Sequence, residues 1–377
     1  MLGKIRNLNY LAILELIKKE KEISRADIAK KVNLTPASIT KITKKLIEQN
    51  LLKESKMGTT NGGRPPVLLT LNNKAGYVIG INLAPGYLEG TIGTLKGELK
   101  EIKKIDLKKQ VQKEEVLLNI TNMIDYFIKK KKGMPLCGIG LAFHGLVDSK
   151  NGVSIYAPYY GWSNFNIKKL LQMKYHTNIR VDNDVKAMAI GQKNHLKTKG
   201  NKNFILVNLS NGIGASIVID NMILNGSRSV AGEIGHIVVS ENSNRMCRCG
   251  KLGCLETYIS HGSLLDKAKE KNLNFKNINE MLSNKSYEVQ KIIDSSGKYL
   301  GKVLGDLVNV INPEYIYLVG ELAEKREDFI EKIEDEIKKS ALEYSRKNLK
   351  IEKIALGSKI ALLGAVTMVI DELFIKK

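Results

Sequence analysis

Three of the four cysteines in this chain fall within eight residues of one another, in the stretch CRCGKLGCLE. Disulfide frameworks belong to short secreted chains, whereas closely spaced thiols in a long lysine-rich chain are typical of a metal site. A histidine completes the set, with the spacing H-x10-C-x-C-x4-C. Three thiolates and one imidazole fill a tetrahedral shell without an open position, which favours a structural zinc ion over a cluster of reduced thiols. The predicted ligands are His236, Cys247, Cys249 and Cys254.

Length and composition describe a globular protein that carries a large positive charge. A chain of 377 residues is expected to form about two or three folded units. Its hydrophobic fraction of 43% contains no run long enough to cross a bilayer, and no secretory cleavage pattern follows the first residues. We therefore expect a cytoplasmic protein with no membrane partner.

The net charge of +21 is concentrated at one end of the chain. Residues 1–72 hold 14 Lys and Arg against 6 Asp and Glu, a net charge of +8. A basic segment of this kind can indicate a polyanionic partner such as nucleic acid. A lysine-rich proteome would also make every protein basic, so the residue pattern has to decide between the two interpretations.

That pattern predicts a helix-turn-helix. Apolar residues at i, i+3, i+4 and i+7 predict a helix from about Leu8 to Lys19. A short second helix follows Ser24, which together with Asp27 resembles a capping box. Asn33 can take the left-handed conformation that ends this helix. The predicted inner residues are Tyr10, Ile13, Leu14 and Ile17 in the first helix and Ala26, Ile28, Ala29 and Val32 in the second.

The third helix has the character of a recognition helix on a winged domain. Thr35 is a good N-cap, Pro36 suits the first helical position, and Ile39, Ile42 and Leu46 are predicted to face inward. Strands LLKES and VLLTLN then flank a glycine-rich wing. Small and hydroxyl side chains would meet base edges, lysines would meet phosphates, and a wing arginine would enter the minor groove. The candidate DNA contacts are Thr35, Ala37, Ser38, Thr40, Lys41, Lys44, Lys45 and Arg64.

After a linker at residues 73–76, the sequence shows the alternating pattern of an α/β fold. Strand-like runs such as YVIGINL, LCGIGLAF, NFILVNL and YIYLVG alternate with amphipathic helical segments. This alternation predicts sheets that are covered by helices. Two glycine-containing strand ends, GINLAPG and NLSNGIGA, lie far apart in the sequence, as expected if each of two lobes contributes a loop to a central cleft.

Three stretches together resemble the ROK family (repressors, open reading frames, kinases), in its xylose-repressor-like branch. They are the helix-turn-helix with GGRPPVLLTLN, then DNDVKAMAIGQ, and then EIGH with CRCGKLGCLE. The resemblance covers nearly the whole chain. It implies an α/β two-lobed actin/hexokinase-like body preceded by an α+β winged helix-turn-helix domain. The expected domains are residues 1–72, then residues 73–187 with 359–377, and then residues 188–358 with the zinc motif.

The same resemblance implies a sugar site. By motif, the sugar-binding residues would be Asn183, Asp184, Glu233, His236 and Glu256. Carboxylates and amides can accept several hydrogen bonds and so suit vicinal hydroxyls. His236 would then place one ring nitrogen on zinc and the other on the sugar, so that the ion orients a ligand contact. In the family turn matched by Gly145 the preceding residue is usually proline, and here it is His144.

Resemblance to the kinases of the family stops at their phosphate loop. Asp184 matches their catalytic base, but their Asp-x-Gly-Gly-Thr loop is replaced here by Asn82, Leu83, Ala84, Pro85 and Gly86. Phosphoryl transfer depends on positioning the phosphates and the metal, and this loop lacks both the carboxylate and one N–H donor. Gly212 and Gly214 of the second loop remain, although such glycines also serve tight turns.

We therefore expect a sugar-responsive transcriptional repressor rather than an enzyme. The alternative is an ATP-dependent sugar kinase with an appended DNA-binding domain, and a third possibility is a DNA-binding scaffold without ligand control. A single small DNA-binding domain gives too little specificity against genomic DNA. We therefore expect a homodimer or homotetramer that binds a pseudo-palindromic operator. The expected effector is xylose, glucose or a related monosaccharide that releases the operator.

Overall fold

The computed structural model describes residues 8–57, 65–195, 202–354, 356–357 and 359–374. The chain divides into two compact units. Unit 1 comprises Met1–Gly191 with Leu362–Lys377, and unit 2 comprises Gln192–Ala361. Within the described ranges, no helix has both the length and the apolar character needed to cross a membrane.

The N-terminal part of unit 1 is a winged helix-turn-helix, as the sequence predicts. Its three strands form one antiparallel sheet in the order β1-β3-β2. The predicted caps are present: Ser24 accepts from the Asp27 backbone N at 3.1 Å, Asn33 has a φ of 52°, and Thr35 accepts from the Ser38 backbone N at 3.2 Å. Its elements are α1 (Leu8–Glu20), β1 (Ile23–Ser24), α2 (Arg25–Val32), α3 (Pro36–Glu48), β2 (Leu52–Met57) and β3 (Val67–Leu71).

Most of the residues predicted to face the interior of the winged helix-turn-helix are buried, but the prediction for Ala26 is wrong. Ile28 and Ala29 lie in the core, whereas Ala26 is exposed. In an α-helix, residues two apart point to opposite faces, so Ala26 cannot share a face with Ile28. The inner surface of α2 is therefore narrower than the run of apolar letters indicates.

The rest of unit 1 is built on a five-stranded sheet in the order β11-β7-β4-β5-β6. Strands β4, β7 and β11 run parallel, so their carboxyl ends meet at one edge of the sheet. Ligands of open α/β sheets bind outside this edge. The elements are β4 (Tyr77–Ala84), β5 (Tyr87–Thr94), β6 (Leu99–Asp106), α4 (Lys113–Lys130), β7 (Leu136–Phe143), β8 (Leu146–Asp148), β9 (Val153–Ala157), β10 (Trp162–Phe165), α5 (Ile167–Tyr175), β11 (Ile179–Asn183) and α6 (Asp184–His195).

Unit 2 contains a second five-stranded sheet, in the order β14-β13-β12-β15-β16, and a 3-10 helix at Ile234–His236. Here β12, β15 and β16 are parallel. The other elements are β12 (Phe204–Leu209), β13 (Ile213–Ile219), β14 (Met222–Ile223), α7 (Glu256–Ile259), α8 (His261–Glu270), α9 (Ile278–Ser283), α10 (Tyr287–Ile311), β15 (Tyr315–Val319), α11 (Glu321–Lys325), α12 (Glu327–Ser340), α13 (Glu343–Arg346), β16 (Lys350–Lys353) and, returning to unit 1, α14 (Lys359–Phe374).

The winged helix-turn-helix, called the head below, shares a hydrophobic core with the rest of unit 1. Leu14 and Ile17 of α1 belong to the same buried cluster as Val366 and Val369 of α14. An ion pair joins Lys18 of α1 to Asp371 of α14, and only 5% of the Lys18 side chain is exposed. The head is therefore packed onto the C-terminal helix and not merely tethered by residues 73–76.

Removing the carboxylate from this contact should loosen the head. In an Asp371→Ala protein the Lys18 ammonium group would stay largely buried without its partner, so we expect a loss of about 2 kcal/mol in the free energy of unfolding. Denaturant unfolding measures this loss. The control is Asp335→Ala, which removes an exposed pair with Lys338 and should change stability by less than about 0.5 kcal/mol. Equal stability of the two variants would contradict the assigned role of the Asp371 contact.

Candidate functional site

The four predicted metal ligands come together in unit 2. One ligand atom from each of His236, Cys247, Cys249 and Cys254 lies within 4.8 Å of the others. The His236 Nδ1 is 3.4 Å from the Cys247 Sγ, and the Cys249 and Cys254 sulfurs are 3.6 Å apart. A tetrahedral zinc with bonds of about 2.3 Å to sulfur and 2.0–2.1 Å to nitrogen places such atoms roughly 3.6–3.8 Å apart. The donor set therefore fits a zinc ion in both chemistry and spacing.

The loop that carries the cysteines depends on glycine at its tightest point. Gly253 has a φ of +75°, and a Cβ there would lie 1.9 Å from the Ser240 backbone oxygen. The Cys247 backbone N donates to the Lys251 carbonyl at 2.8 Å, which closes the turn. Burial raises the pKa of the Cys254 thiol to about 12, so a metal ion would have to displace its proton.

Two predicted sugar contacts, Glu233 and Glu256, lie beside the predicted metal ligands. The second ring nitrogen of His236, Nε2, is 4.0 Å from the Glu233 Oε2. His236 therefore presents Nδ1 to the sulfurs and Nε2 toward Glu233. Glu256 is partly engaged already, because its Oε2 accepts from the backbone N of Ile213 at 3.1 Å. It links the cysteine loop to the second glycine loop.

The second glycine loop lies at the carboxyl ends of β12 and β15. His261 is 6% exposed, its backbone N donates to the Ser210 oxygen, and its Nε2 is 3.4 Å from the Glu321 Oε2. Burial lowers the pKa of this histidine. Sequence reasoning did not identify His261, because nothing near it in the chain indicates that two strand ends enclose it.

The Asn-Asp motif occupies the corresponding edge of the unit 1 sheet. Asn183 ends β11 and Asp184, which is 5% exposed, begins α6. The Asn183 side chain donates to the Gly145 oxygen at 2.9 Å and to the Asp184 Oδ1 at 3.0 Å, while its own oxygen accepts from the Val185 backbone N. The Asp184 carboxylate is thus held in place and keeps Oδ2 for other contacts.

His144 joins this group, although sequence reasoning did not include it in the site. Its backbone N donates to the Leu83 oxygen at 2.9 Å, and its Nδ1 lies 3.9 Å from the Asp184 Oδ2. The next residue, Gly145, has a φ of +92°, and a Cβ there would lie 2.3 Å from the Tyr156 oxygen. The available signal was the histidine itself, in a turn where the family usually has proline.

The loop that corresponds to the kinase phosphate loop is a closed hairpin turn. Ala84 and Tyr87 pair across it, with Pro85 and Gly86 at the tip. The Tyr160 hydroxyl donates to the Ala84 oxygen at 2.5 Å. Tyr160 packs in turn on Trp162, which is only 8% exposed and therefore part of the core.

The residue that replaces the kinase carboxylate is itself paired. Asn82 and Glu89 face each other on β4 and β5, and the Asn82 Nδ2 donates to the Glu89 Oε1 at 2.9 Å. The two residues are 1% and 5% exposed. The Glu89 carboxylate is therefore buried within the sheet and is not presented to solvent as a metal ligand would be.

Most of the residues predicted to contact DNA from α3 and its N-cap have exposed side chains. Thr35, Ala37, Thr40, Lys41, Lys44 and Lys45 are exposed, and Ser38 is half-buried. Two hydroxyl groups are already engaged, because Thr35 bonds to Ser38 and Thr40 donates to the Pro36 oxygen. Arg64 lies outside the described residues.

Comparison with known proteins finds a matching family model for the body of the chain and another for its N-terminal part. The ROK family model matches residues 78–372, and a winged helix-turn-helix DNA-binding model matches residues 7–53. A xylose repressor of Caldicellulosiruptor bescii is 29% identical over 388 residues, covering 98% of this chain and 97% of the repressor. The transcriptional dual regulator NagC of Escherichia coli is 29% identical over 380 residues, covering 97% of this chain and 93% of the regulator.

Solved structures agree with these sequence matches. A ROK family transcriptional regulator, described as a homologue of the E. coli MLC protein, superposes with a TM-score of 0.84 at 26% identity and covers 97% of both chains. A ROK family glucokinase from Streptomyces griseus, in complex with glucose and AMPPNP, shares the fold with a TM-score of 0.68 at 22% identity, over 78% of this chain and 99% of the kinase. The chain is therefore a member of the ROK family with an N-terminal winged helix-turn-helix domain.

Proposed function

We propose that this protein is a transcriptional repressor that binds operator DNA through α3 and releases it when a monosaccharide binds the body. The observation that carries the proposal is the contrast within unit 1. The Asn183 and Asp184 acceptors are held in place, whereas the phosphate loop is a closed turn sealed by Tyr160. This pair of features supports a protein that binds a sugar without phosphorylating it.

The proposed effector contacts are the residues that the family resemblance implies, namely Asn183, Asp184, Glu233, His236 and Glu256. Amide and carboxylate oxygens accept hydrogen bonds from sugar hydroxyls, and a missing hydroxyl leaves a buried acceptor unpaired. The relatives named above are a xylose repressor and NagC, and a further relative is named N-acetylglucosamine repressor. We therefore place the effector among pentoses, hexoses and hexosamines.

The proposal assigns a structural zinc to the cysteine loop. Its ligands would be His236, Cys247, Cys249 and Cys254, whose spacing suits a closed tetrahedral shell. The role of the ion would be to fix the His236 ring so that its Nε2 stays available beside Glu233. No chemical step on the sugar is assigned to the metal.

Control of operator binding requires that sugar binding change the free energy with which the head binds DNA. The shared core of α1 and α14 and the pair between Lys18 and Asp371 would connect the head to the rest of unit 1 for this purpose. The sugar can shift the operator affinity only if it binds one arrangement of the protein better than another. We further propose a homodimer or homotetramer, because two heads supply the specificity that one head lacks.

Two titrations test the proposed function. Calorimetry with xylose, glucose and N-acetylglucosamine should show binding of at least one sugar, with no heat of turnover when Mg-ATP is added. Fluorescence anisotropy on a duplex selected in vitro should show operator affinity falling about tenfold or more in the presence of that sugar. Phosphorylated sugar in the first experiment would favour the kinase alternative, and unchanged DNA affinity in the second would favour a scaffold without ligand control.

The lysines of α3 should carry part of the salt dependence of DNA binding. Each lysine that neutralises a phosphate adds about 0.9 to the slope of log affinity against log salt concentration. We expect Lys41→Ala with Lys44→Ala to lower that slope by about 2 and to weaken binding to all sequences. Anisotropy at several salt concentrations measures the slope.

The matched control for this experiment is Lys338→Ala with Lys339→Ala, which removes the same charge from the surface of α12. Its slope should equal that of the unsubstituted protein. A slope that is unchanged in the α3 variant as well would reject the phosphate contacts of Lys41 and Lys44.

A further inference from the structure

We infer that His144 is an additional effector contact, which accepts a hydrogen bond from one sugar hydroxyl through Nε2 while a neighbouring hydroxyl of the same sugar bonds to Asp184. The inference rests on the proposed function and extends it, because it predicts that the effector carries two vicinal hydroxyls at this point. Three observations on unit 1 support it.

The first observation is that the backbone places His144 firmly. Its N–H donates to the Leu83 oxygen at the end of β4, and the Gly145 oxygen accepts from the Asn183 side chain at the end of β11. The turn is thus connected to both neighbouring strands of β7. A side chain on this turn lies at the carboxyl edge of the sheet, where α/β folds bind ligands.

The second observation is an unsatisfied nitrogen. Among the described residues, the His144 Nε2 is buried and has no hydrogen-bond partner. The large majority of buried side-chain polar atoms in proteins are hydrogen-bonded, so an unpaired one next to a predicted ligand site points to a partner that is supplied by a ligand. The side chain as a whole keeps 14% of its surface exposed, although Nε2 itself is covered.

The third observation is the position of Asp184. Its Oδ2 is 3.9 Å from the His144 Nδ1, which is too far for a hydrogen bond but close enough for the carboxylate to favour a proton on Nδ1. A neutral ring with its proton on Nδ1 presents Nε2 as an acceptor. Carboxylate and imidazole then offer two adjacent acceptors, which match two adjacent hydroxyl donors on a sugar ring.

A matched pair of substitutions isolates the Nε2 contact. Glutamine places a polar atom near the position of Nε2, whereas asparagine reaches only the position of Nδ1. We expect His144→Asn to weaken sugar binding about tenfold or more, and His144→Gln to stay within about threefold of the unsubstituted protein. Calorimetry with xylose, glucose and N-acetylglucosamine measures the affinities, and the unfolding midpoint and operator affinity without sugar confirm that both variants fold.

Deoxy sugars test the same contact from the side of the ligand. With the unsubstituted protein, removing the one hydroxyl that meets Nε2 should cost about tenfold in affinity, and the same removal should cost nothing further in His144→Asn. If a variant does not fold, imidazole nitrogen spectra of the unsubstituted protein decide instead. A sugar-dependent shift at the His144 nitrogens supports the contact, and no shift overturns it.

The outcomes separate this inference from the proposed function. If the unsubstituted protein binds none of the sugars, the proposed function fails and the inference fails with it. If it binds a sugar but both His144 variants bind that sugar equally well, with the same losses across the deoxy series, only the contact of His144 is rejected.

Discussion

A Cys254→Ser protein is expected to retain no stoichiometric zinc, to unfold about 10 °C below the unsubstituted protein, and to lose its response to sugar. Cys254 is fully buried and lies 3.6 Å from Cys249, so a serine there removes one of four ligands from a closed shell. Structural zinc sites contribute directly to folding free energy. A loss of roughly 4 kcal/mol within unit 2, whose range Gln192–Ala361 holds 170 residues, corresponds to a shift of about 10 °C in its unfolding midpoint.

The loss of sugar response has a separate cause. Without the ion, the His236 ring is no longer held by its Nδ1, and its Nε2 is free to rotate away from Glu233. Sugar affinity should therefore fall even at temperatures where the protein is folded. Elemental analysis, thermal unfolding and a sugar titration at low temperature measure the three effects separately.

A second cysteine provides the matched control for this prediction. Cys137 lies in unit 1, outside the metal cluster, and burial raises the pKa of its thiol to about 11. Cys137→Ser should keep the zinc content and the sugar affinity of the unsubstituted protein. The assignment fails if protein purified without chelators contains no metal, or if Cys254→Ser titrates with sugar as the unsubstituted protein does.

An Asp184→Asn protein is expected to lose sugar affinity by about a hundredfold while its operator affinity stays the same. The carboxylate is nearly inaccessible to solvent, and one of its oxygens is fixed by the Asn183 side chain. Exchanging the other oxygen for an amide N–H would place a donor against a sugar hydroxyl and cost a buried hydrogen bond to a charged group, about 1.5–3 kcal/mol. The fold should survive, because asparagine has the same shape.

Operator binding in this variant should still occur but should no longer be released by sugar. Anisotropy with and without the sugar identified by calorimetry measures this. Asp106→Asn, at the exposed end of β6, removes the same charge from unit 1 and should remain fully inducible. If Asp184→Asn responds to sugar as the control does, Asp184 is not an effector contact.

Local sequence signals predicted correctly those features that depend on only a few neighbouring residues. Ser24, Asn33 and Thr35 cap their helices as predicted, because each cap depends on residues within three or four positions. The cysteines and His236 also converge as predicted, because only ten residues separate the histidine from the first cysteine and glycines allow the loop to fold back.

Features that depend on distant parts of the chain were decided by the tertiary structure alone. The Lys18 pair with Asp371 joins residues 353 positions apart, and the Tyr160 hydroxyl that bonds to the Ala84 oxygen comes from 76 positions away. The contact between His144 and Asp184 exists because β7 and β11 are neighbours in one sheet. Residue types and spacings therefore predicted the helix-turn-helix and the convergence of His236 with the three cysteines. Packing decided which carboxylate is buried, which nitrogen lacks a partner and what holds the head, because burial and hydrogen bonding depend on neighbours that only the folded chain brings together.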